Sequence, residues 1–405
     1  MLFTTIFAFS VFFLILGLAG AIHTELPRKV RNMTFVYFFF SLPAHLLAMQ
    51  LLIINIAILV TALTILDHSP WLIGISAVNI FLFGLNLRRS YQGTKVLDQI
   101  LPGEDYNSFA HFIKGALRPI KMPKTAVKRT NNVAYGDAGK KNLLDIYVPA
   151  SPPQEPMPVL IHIHGGAWVI GHKDQQGKPL IHHMVQKGWV AVDINYRLGP
   201  KNRFPIMIED VLRAIAWVKA NIADYGGDPN FVALTGGSAG GHLTALASLV
   251  SNNAEFKPGF EQADCTVDAA VPVYGVYDFL DRTGEMKSGQ AEVEAFLTKL
   301  AMPGPRETHK DFWNKMTPLG NIHADAPAMF VMHGRHDALA AFKGAEIFVE
   351  ALRDVSKNEV LFVQITSGQH AYDAVNAPPT PAHVRAIERF LNKIRAEKLG
   401  QASTD

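Results

Sequence analysis

The chain has few charged residues and almost no cysteine. Charged side chains make up 18% of its 405 residues, where a soluble domain would carry about 25%. With 49% hydrophobic residues, this shortage excludes a disordered or strongly solvated protein and indicates that part of the chain lies in lipid. The single cysteine, Cys265, excludes an intrachain disulfide and favours a reducing compartment. A net charge of +3 is too small to predict nucleic-acid binding.

Charge is missing altogether from three long apolar runs near the N-terminus. We interpret them as membrane spans near Leu2–Ile22, Ala44–Leu66 and Pro70–Leu87, since a span needs roughly 20 apolar residues. The first run has no basic residues before it, so it does not fit a cleaved signal peptide. The third is short and carries Asn79 and Asn86. Buried core helices are the alternative for all three.

Basic residues flank these runs on one side only. Arg28, Lys29 and Arg31 follow the first run, and Arg88, Arg89 and Lys95 follow the third. With three spans, both basic clusters lie on the same side, which the positive-inside rule makes cytoplasmic. We therefore expect a multi-pass protein of the plasma or inner membrane whose catalytic domain faces the cytoplasm.

Composition divides the chain into three parts. Residues 1–90 form the apolar region, residues 91–129 a basic connector, and residues 130–397 a domain of ordinary composition. Apolar residues of the connector recur at helical spacing: Tyr106, Phe109, Phe112, Ile113 and Leu117. Such a helix would lie on an anionic lipid surface, or it would cover the next domain as a cap.

Short apolar runs alternate with amphipathic stretches after residue 140. Strands are predicted at residues 143–148, 159–164, 189–195, 231–235, 269–274, 328–333 and 360–365. Helices are predicted at residues 178–186, 207–225, 242–251, 342–353 and 382–395. This alternation predicts an α/β domain with a mostly parallel sheet and helices on both faces.

Gly236-Gly237-Ser238-Ala239-Gly240 fits the pattern G-x-S-x-G between a predicted strand and a predicted helix. A nucleophilic serine requires this context, because a sharp turn there lifts its hydroxyl above the sheet edge. The amide of Ala239 would face a developing oxyanion, and the helix that follows would present its positive end to that charge. The alternative is a glycine turn that serves only packing.

A second glycine motif, His164-Gly165-Gly166-Ala167-Trp168, follows the apolar strand at residues 159–163. Its glycines allow successive amides to face a substrate oxygen and stabilise the charge that develops there. A plain Gly-Gly turn is the alternative. We interpret His164 as structural, with its ring bonded to the backbone of the loop.

A serine nucleophile needs a base, and the base needs an orienting carboxylate. In this topology the expected chain order is serine, then acid, then histidine, with both partners on loops that follow strands. Asp337 follows the strand at 328–333, and His370 follows the strand at 360–365. We therefore assign Ser238 as nucleophile, His370 as base and Asp337 as the orienting acid.

Other acids and histidines fit these roles less well. Asp278 is a rival for the acid, while Asp373 is too near His370 in sequence to approach it from another loop. His333 and His336 precede the last strand, which is the wrong loop for the base. We expect His323 and His383 to lie at the surface, and we predict no metal site, because the scattered histidines lack a ligand pattern.

These motifs occur in order with Asp193–Leu198, Tyr225–Pro229 and His333–Asp337. Together they resemble the hormone-sensitive-lipase-like and carboxylesterase branch of the α/β-hydrolases. The H-G-G-x-W form is similar to bacterial esterases, kynurenine formamidases and isoprenylcysteine methylesterases. The resemblance implies an α/β-hydrolase fold, hydrolysis of carboxylic esters or sometimes amides, and no cofactor.

Carried over by motif, the resemblance assigns Ser238, Asp337 and His370 to the catalytic triad. It assigns the oxyanion hole to Gly165, Gly166, Ala167 and Ala239. The chain departs from the family where Ala167 replaces a third glycine, and where Asn195–Pro200 reads N-Y-R-L-G-P instead of D-Y-R-L-A-P. We expect Tyr196 and Arg197 to be structural.

Several functions are compatible with these residues. The main prediction is a membrane-anchored serine hydrolase, an esterase or lipase, whose acyl-enzyme forms on Ser238 and whose partners are an ester or lipid-like substrate and the membrane. Alternatives are an acyltransferase, an amide or prenylcysteine methylester hydrolase, and a non-enzymatic scaffold. Segments 103–128 and 281–320 are the predicted lid, although their aromatic residues could equally pack on the domain. The sequence predicts no oligomeric state.

Overall fold

A computed structural model describes residues 2–21, 34–66, 68–100, 108–120, 126–282 and 290–400. The predictions for Ile22, Arg28, Lys29, Arg31 and Tyr106 lie outside these residues. The Cα positions group into two compact units. The helical unit has Met1–Lys121 with Gly334–Leu339 and Gln364–Arg385, and the sheet unit has Met122–His333, Ala340–Val363 and Ala386–Asp405.

The helical unit is built on apolar helices. They are α1 (Leu2–Ala21), α2 (Thr34–Leu46), α3 (Ala48–Thr64), α4 (Pro70–Ile100) and α5 (Phe109–Leu117). By length and composition, residues Phe3–Ala21 and Pro70–Leu97 could each cross a membrane. Helices α2 and α3 count as a third crossing only as a bent pair.

The predicted second span, Ala44–Leu66, is not one straight helix. Its axis bends by 82° between α2 and α3. Leu47 stands at the break with φ −114° and ψ 19°, outside the helical region. Pro43 lies in the turn before it, and a proline inside a helix is a common cause of such a kink.

Buried asparagines join the helices of this unit. The side-chain amide of Asn79 on α4 donates to Asn55 on α3 at 2.8 Å and to the carbonyl of Ser10 on α1 at 3.0 Å. Hydrogen bonds of this kind hold helices together in an apolar surrounding. The two asparagines of the third run are both buried. They do not interrupt that helix, which continues past the predicted end at Leu87 to Ile100.

The connector differs most from its prediction. Among the described residues of the connector, helix α5 covers nine, and residues 91–100 belong to α4. Its end enters β1 (Val127–Ala134), which pairs antiparallel with the next strand. The sequence analysis predicts no strand at these residues. Strand β1 is largely exposed and polar, so it lacks the apolar alternation that indicates a strand.

The sheet unit contains the predicted α/β fold. After β1, the strands are β2 (Leu143–Pro149), β3 (Met157–Ile163), β4 (Val190–Ile194), β5 (Gly227–Gly237), β6 (Ala269–Val273), β7 (Ala328–Gly334) and β8 (Val360–Ile365). They form one eight-stranded sheet in the order β1-β2-β4-β3-β5-β6-β7-β8. Pairing is parallel from β4 through β3, β5 and β6 to β7, while β1-β2 and β2-β4 are antiparallel. The sheet is therefore mostly parallel, as predicted.

Helices connect the strands. They are α6 (Lys178–Gln186), α7 (Ile206–Asn221), α8 (Ala239–Val250), α9 (Gln290–Leu300), α10 (Lys310–Lys315), α11 (Phe342–Val355) and α12 (Thr380–Lys398). Every residue of β3 and of α8 is buried. The core therefore lies around the centre of the sheet, directly beneath the two glycine motifs.

Candidate active site

Ser238 stands on a strained turn between β5 and α8. Its φ of +60° and ψ of −123° belong to a region that residues with a side chain rarely adopt. Its amide donates to the carbonyl of Val273 at 3.0 Å, and its carbonyl accepts from the amide of His242 at 2.9 Å. The backbone of the turn is thus fixed from both sides, which is how such strain persists at functional sites.

The glycines around Ser238 are required by close packing against β3. A Cβ atom at Gly236 would lie 2.4 Å from the carbonyl oxygen of Ile163, and one at Gly240 would lie 2.0 Å from the same oxygen. Both distances are shorter than real Cβ contacts. The glycines of the motif therefore let the turn approach the end of the neighbouring strand.

The loop after β3 carries the other predicted oxyanion donors. Gly166 has φ +117°, and a Cβ there would lie 2.1 Å from the carbonyl oxygen of Ile170. Ala167 also has a positive φ, +51°. The amide of Gly165, however, already donates to the side-chain oxygen of Gln176 at 2.7 Å. Because that amide is engaged, Gly166, Ala167 and Ala239 are the stronger candidates for binding an oxyanion.

His164 has the structural role expected of it. Its Nδ1 atom lies 2.7 Å from the carbonyl oxygen of Gly165. The ring stacks on Tyr196 at a centroid distance of 4.4 Å, and the Tyr196 hydroxyl donates to the carbonyl of His164 at 3.0 Å. Burial lowers the pKa of His164 to about 4, so the ring is neutral at pH 7.

A second buried histidine supports the helix that follows Ser238. The Nε2 atom of His242 lies 2.8 Å from the carbonyl oxygen of Met316, and the indole of Trp168 donates to its Nδ1 atom at 3.3 Å. These partners fit a neutral ring that donates at Nε2 and accepts at Nδ1. Burial lowers the pKa of His242 to about 4.

Asp337 and His370 form a buried pair in the helical unit. The Nδ1 atom of His370 lies 2.7 Å from one carboxylate oxygen of Asp337. The other carboxylate oxygen accepts from the amide of Leu339 at 2.8 Å. This arrangement suits an imidazole that donates from Nδ1 and keeps Nε2 for proton transfer.

Gln369 is a site residue that the sequence analysis did not identify. Its buried side-chain oxygen accepts from the amide of His370 at 2.8 Å and from the amide of Ala338 at 2.7 Å. One atom thus joins the loop of the predicted base to the loop of the predicted acid. No sequence signal marks this glutamine, because its contact spans 31 residues of chain.

The rival acids and histidines have other roles. Asp278 forms an ion pair with Arg282 at 2.6 Å, and the Nε2 atom of His333 bonds the carbonyl of Ala340 at 3.1 Å. The surface prediction for His383 is wrong: its side chain is 1% exposed and bonds the Tyr372 hydroxyl at 2.6 Å. It lies on the buried face of α12, which begins at Thr380, two residues before the predicted start at 382. The surface prediction for His323 is confirmed: the residue is exposed, and its Nε2 atom lies 3.0 Å from the carbonyl oxygen of Leu249.

A buried charge cluster anchors the loop that contains Gln176. Lys173 pairs with Asp145 at 2.6 Å, while Lys178 and His162 both contact Asp193, at 3.0 and 2.8 Å. Burial opposes ionisation of Asp145, but hydrogen bonds from cations and a backbone amide outweigh it, so the pKa of Asp145 is below its ordinary value. Paired in this way, the charges hold both ends of the loop.

Residues 290–320, from the second segment of the predicted lid, pack into the sheet unit. Trp313 on α10 and Leu297 on α9 are buried in the main core cluster, with Phe296 and Phe312 against it. The indole of Trp313 donates to the carbonyl of Gly304 at 3.1 Å. Between the two alternatives for these aromatic residues, the structure therefore supports packing.

Sequence comparison finds relatives named as ester hydrolases. A family described as BD-FAE matches residues 144–352. LipM of Mycobacterium tuberculosis, named a probable carboxylic ester hydrolase, is 44% identical over 70% of this chain, and esterase LipQ of the same organism is 39% identical over 67%. The chain spans 65% and 64% of their lengths. A rice protein named a probable isoprenylcysteine alpha-carbonyl methylesterase, ICME, is 29% identical over 57% of this chain and 56% of its own.

Structural comparison agrees on the fold. Esterase B from Lactobacillus rhamnosis aligns with a TM-score of 0.59 at 17% identity, covering 77% of this chain and 99% of that protein. At that identity the match speaks for the fold alone. With the observed strand order, it confirms the predicted α/β-hydrolase fold.

Proposed function

Because the chain belongs to the BD-FAE family of α/β-hydrolase esterases, we propose that it is a membrane-anchored serine esterase that cleaves carboxylic esters. Ser238 is the nucleophile, His370 the base and Asp337 the acid that orients the base. The observation that carries this proposal is the conformation of Ser238, at φ +60° on the turn between β5 and α8. The buried Asp337–His370 pair supports it.

All three residues follow strands of the same sheet. Ser238 follows β5, Asp337 follows β7 and His370 follows β8. The carboxyl ends of parallel strands lie along one edge of a sheet, and ligands bind there in open α/β folds. The chain order of serine, acid and histidine is the order expected for this fold.

In the proposed reaction, Ser238 Oγ attacks the ester carbonyl while His370 Nε2 takes its proton. The carboxylate of Asp337 holds the Nδ1 proton and stabilises the imidazolium that forms. The amides of Gly166, Ala167 and Ala239 bind the oxyanion, and each such donor typically contributes about 3–4 kcal/mol to transition-state binding. His370 then gives the proton to the leaving alcohol, and water releases the acyl group by the same steps.

Anchoring by the apolar helices is a separate part of the proposal. Large apolar side chains are exposed along them, among them Phe9, Ile15, Ile54, Trp71 and Phe81. Many large exposed apolar side chains on neighbouring segments are rare on soluble proteins and typical of membrane contact. We expect the protein to stay in the membrane pellet after alkaline carbonate extraction. Release of the protein into the supernatant would show that the anchoring proposal is wrong, and it would not affect the assignment of Ser238 as nucleophile.

Orientation in the membrane needs its own test. The sequence places the catalytic domain in the cytoplasm through the positive-inside rule. A fluorescent protein fused to the C-terminus should fluoresce and an alkaline phosphatase fused there should be inactive. The reverse pattern would place the catalytic domain on the opposite side.

The activity is tested with p-nitrophenyl esters from acetate to palmitate, using the full chain in detergent. We expect hydrolysis by the wild type and none above background by Ser238→Ala. Ser248→Ala is a matched control, since Ser248 is buried on the same helix and its hydroxyl donates to the carbonyl of Ala245 in that helix. Hydrolysis that survives in Ser238→Ala would remove the nucleophile assignment.

The similarity to the rice ICME protein favours a second candidate substrate. It is the methyl ester of a prenylated cysteine, whose apolar chain suits an enzyme at a membrane. We expect methanol release from farnesylcysteine methyl ester if this is the substrate. Activity on simple esters with no methanol release would restrict the function to ordinary carboxylic esters. An acyltransferase would instead form a new ester when an alcohol is added.

A further inference from the structure

One face of the apolar helix α2 contacts the loop of the predicted base, His370, and the loop of the predicted acid, Asp337. Phe38, Ser41 and His45 lie on this face, at helical spacing. The Phe38 ring meets His370 edge-on at a centroid distance of 6.1 Å, and the His45 ring lies 6.1 Å from that of His336, next to Asp337. All of these residues belong to the helical unit.

A hydrogen bond between Gln369 and Ser41 lies on this face. The side-chain nitrogen of Gln369 lies 2.7 Å from Ser41 Oγ, and both side chains are fully buried. The amide orientation of Gln369 follows from its other contacts: its oxygen accepts two backbone N–H groups, so its nitrogen must donate. Ser41 Oγ therefore accepts the hydrogen bond that the side-chain nitrogen of Gln369 donates.

This geometry makes Gln369 a three-way junction. Its oxygen joins the backbone of Ala338 to that of His370, and its nitrogen joins both to α2. A buried amide keeps one orientation when all its hydrogen bonds are made, and it costs free energy when one is lost. The orientation of the Asp337–His370 pair is thus tied to the position of a helix in the apolar region.

We propose that Ser41 is a positioning residue for the Asp337–His370 pair, and that α2 is consequently part of the catalytic apparatus as well as of the membrane region. The inference rests on the proposed esterase function. If Ser41 has this role, kcat depends on the position of α2. A change in the surroundings of the apolar helices that moves α2 would then also move His370. A displacement on the order of 1 Å in a positioned catalytic group costs about a hundredfold in rate.

The test compares three variants of the full chain in detergent, with p-nitrophenyl butyrate as substrate. Ser41→Ala removes the acceptor for Gln369, while Ser41→Thr keeps a hydroxyl. Ser10→Ala is the matched control, because Ser10 is a buried serine of α1 whose hydroxyl donates to the carbonyl of Ile6 in its own helix. Active sites are counted with a phosphonate inhibitor, so that unfolded molecules do not enter kcat.

We expect Ser41→Ala to lower kcat about tenfold with KM within about twofold of the wild type. Ser41→Thr should recover most of kcat, and Ser10→Ala should match the wild type. A loss confined to KM, an equal effect of Ser10→Ala, or no recovery with threonine would overturn the positioning role. If instead the wild type is inactive or Ser238→Ala remains active, the failure lies with the proposed function.

Discussion

The imidazole of His370 lies 2.7 Å from the carboxylate of Asp337, and both side chains are buried. The two residues are 33 positions apart, on loops that follow neighbouring strands of the sheet. A buried carboxylate in this position fixes the tautomer of the ring and leaves Nε2 as the proton acceptor. The chemistry proposed for Ser238 depends on this pair.

Asp337→Asn should separate orientation from folding. The amide keeps the shape of the carboxylate but cannot hold the same tautomer, so we expect kcat to fall by about 10³–10⁴-fold. The melting temperature should change little. Asp278→Asn is the control, since Asp278 is the rival acid in the sequence. A larger loss of kcat in Asp278→Asn than in Asp337→Asn would reverse the assignment.

Gln176 is expected to act on the oxyanion loop through Gly165. Gln176→Leu leaves the Gly165 amide without its acceptor, which costs about 1–3 kcal/mol if the group stays buried. We expect kcat to fall about tenfold or more as the loop shifts. Gln175→Leu changes the exposed neighbouring residue and should be neutral. Equal activity of the two variants would contradict a role for Gln176.

Gly240→Ala should disrupt the packing of the turn. The new methyl group would lie 2.0 Å from the carbonyl oxygen of Ile163, so we expect a loss of about 3 kcal/mol or more in unfolding free energy. Gly344→Ala is the matched control on α11, where a Cβ meets nothing within 4 Å. It should stabilise the protein by up to about 1 kcal/mol. Chemical denaturation measures the free energy of unfolding of both variants. A loss in Gly240→Ala alone indicates steric conflict, whereas a loss in both would indicate a general effect of replacing glycine by alanine.

The lowered pKa of His242 predicts that the free energy of unfolding decreases in acid. Its pKa in the folded protein is about 4, below the ordinary value of about 6.5. As the pH falls, the unfolded chain therefore binds a proton at His242 before the folded protein does. The contribution of His242 to the free energy of unfolding is complete above about pH 6.5 and is lost towards pH 4. At pH 5 the loss amounts to about 2 kcal/mol.

Denaturation midpoints at pH 7.5 and pH 5 measure this contribution. His242→Gln removes the titrating ring, so the difference between the two midpoints should shrink. His172→Gln changes an exposed histidine and should leave the difference as in the wild type. A pH dependence that is the same in His242→Gln and in the wild type would exclude His242 as its source.

The sequence predicted those features that depend on local pattern. The turn at Ser238 follows from five adjacent residues between a strand and a helix. Asp337 and His370 follow from chain order and from the strands before them. The mostly parallel sheet follows from alternating periodicity, because buried parallel strands read as continuous apolar runs.

The features that escaped prediction depend on long-range contacts or on one backbone angle. Gln369 acquires its role only when two loops and α2 meet. Strand β1 is polar because it lies at the sheet edge, and the bend at Leu47 interrupts a run whose composition is uniformly apolar. His383 was misplaced because a histidine on an amphipathic helix is assigned to the outer face unless a buried partner such as Tyr372 is known.

The most direct test of the account is covalent labelling of Ser238. The full chain in detergent is treated with a p-nitrophenyl alkylphosphonate, and released nitrophenol, residual esterase activity and the modified peptide are followed together. We expect one phosphonate per chain, attached to Ser238, with activity lost in proportion to labelling. Activity that survives complete labelling, or a label carried by another residue while Ser238 stays unmodified, would contradict the central claim.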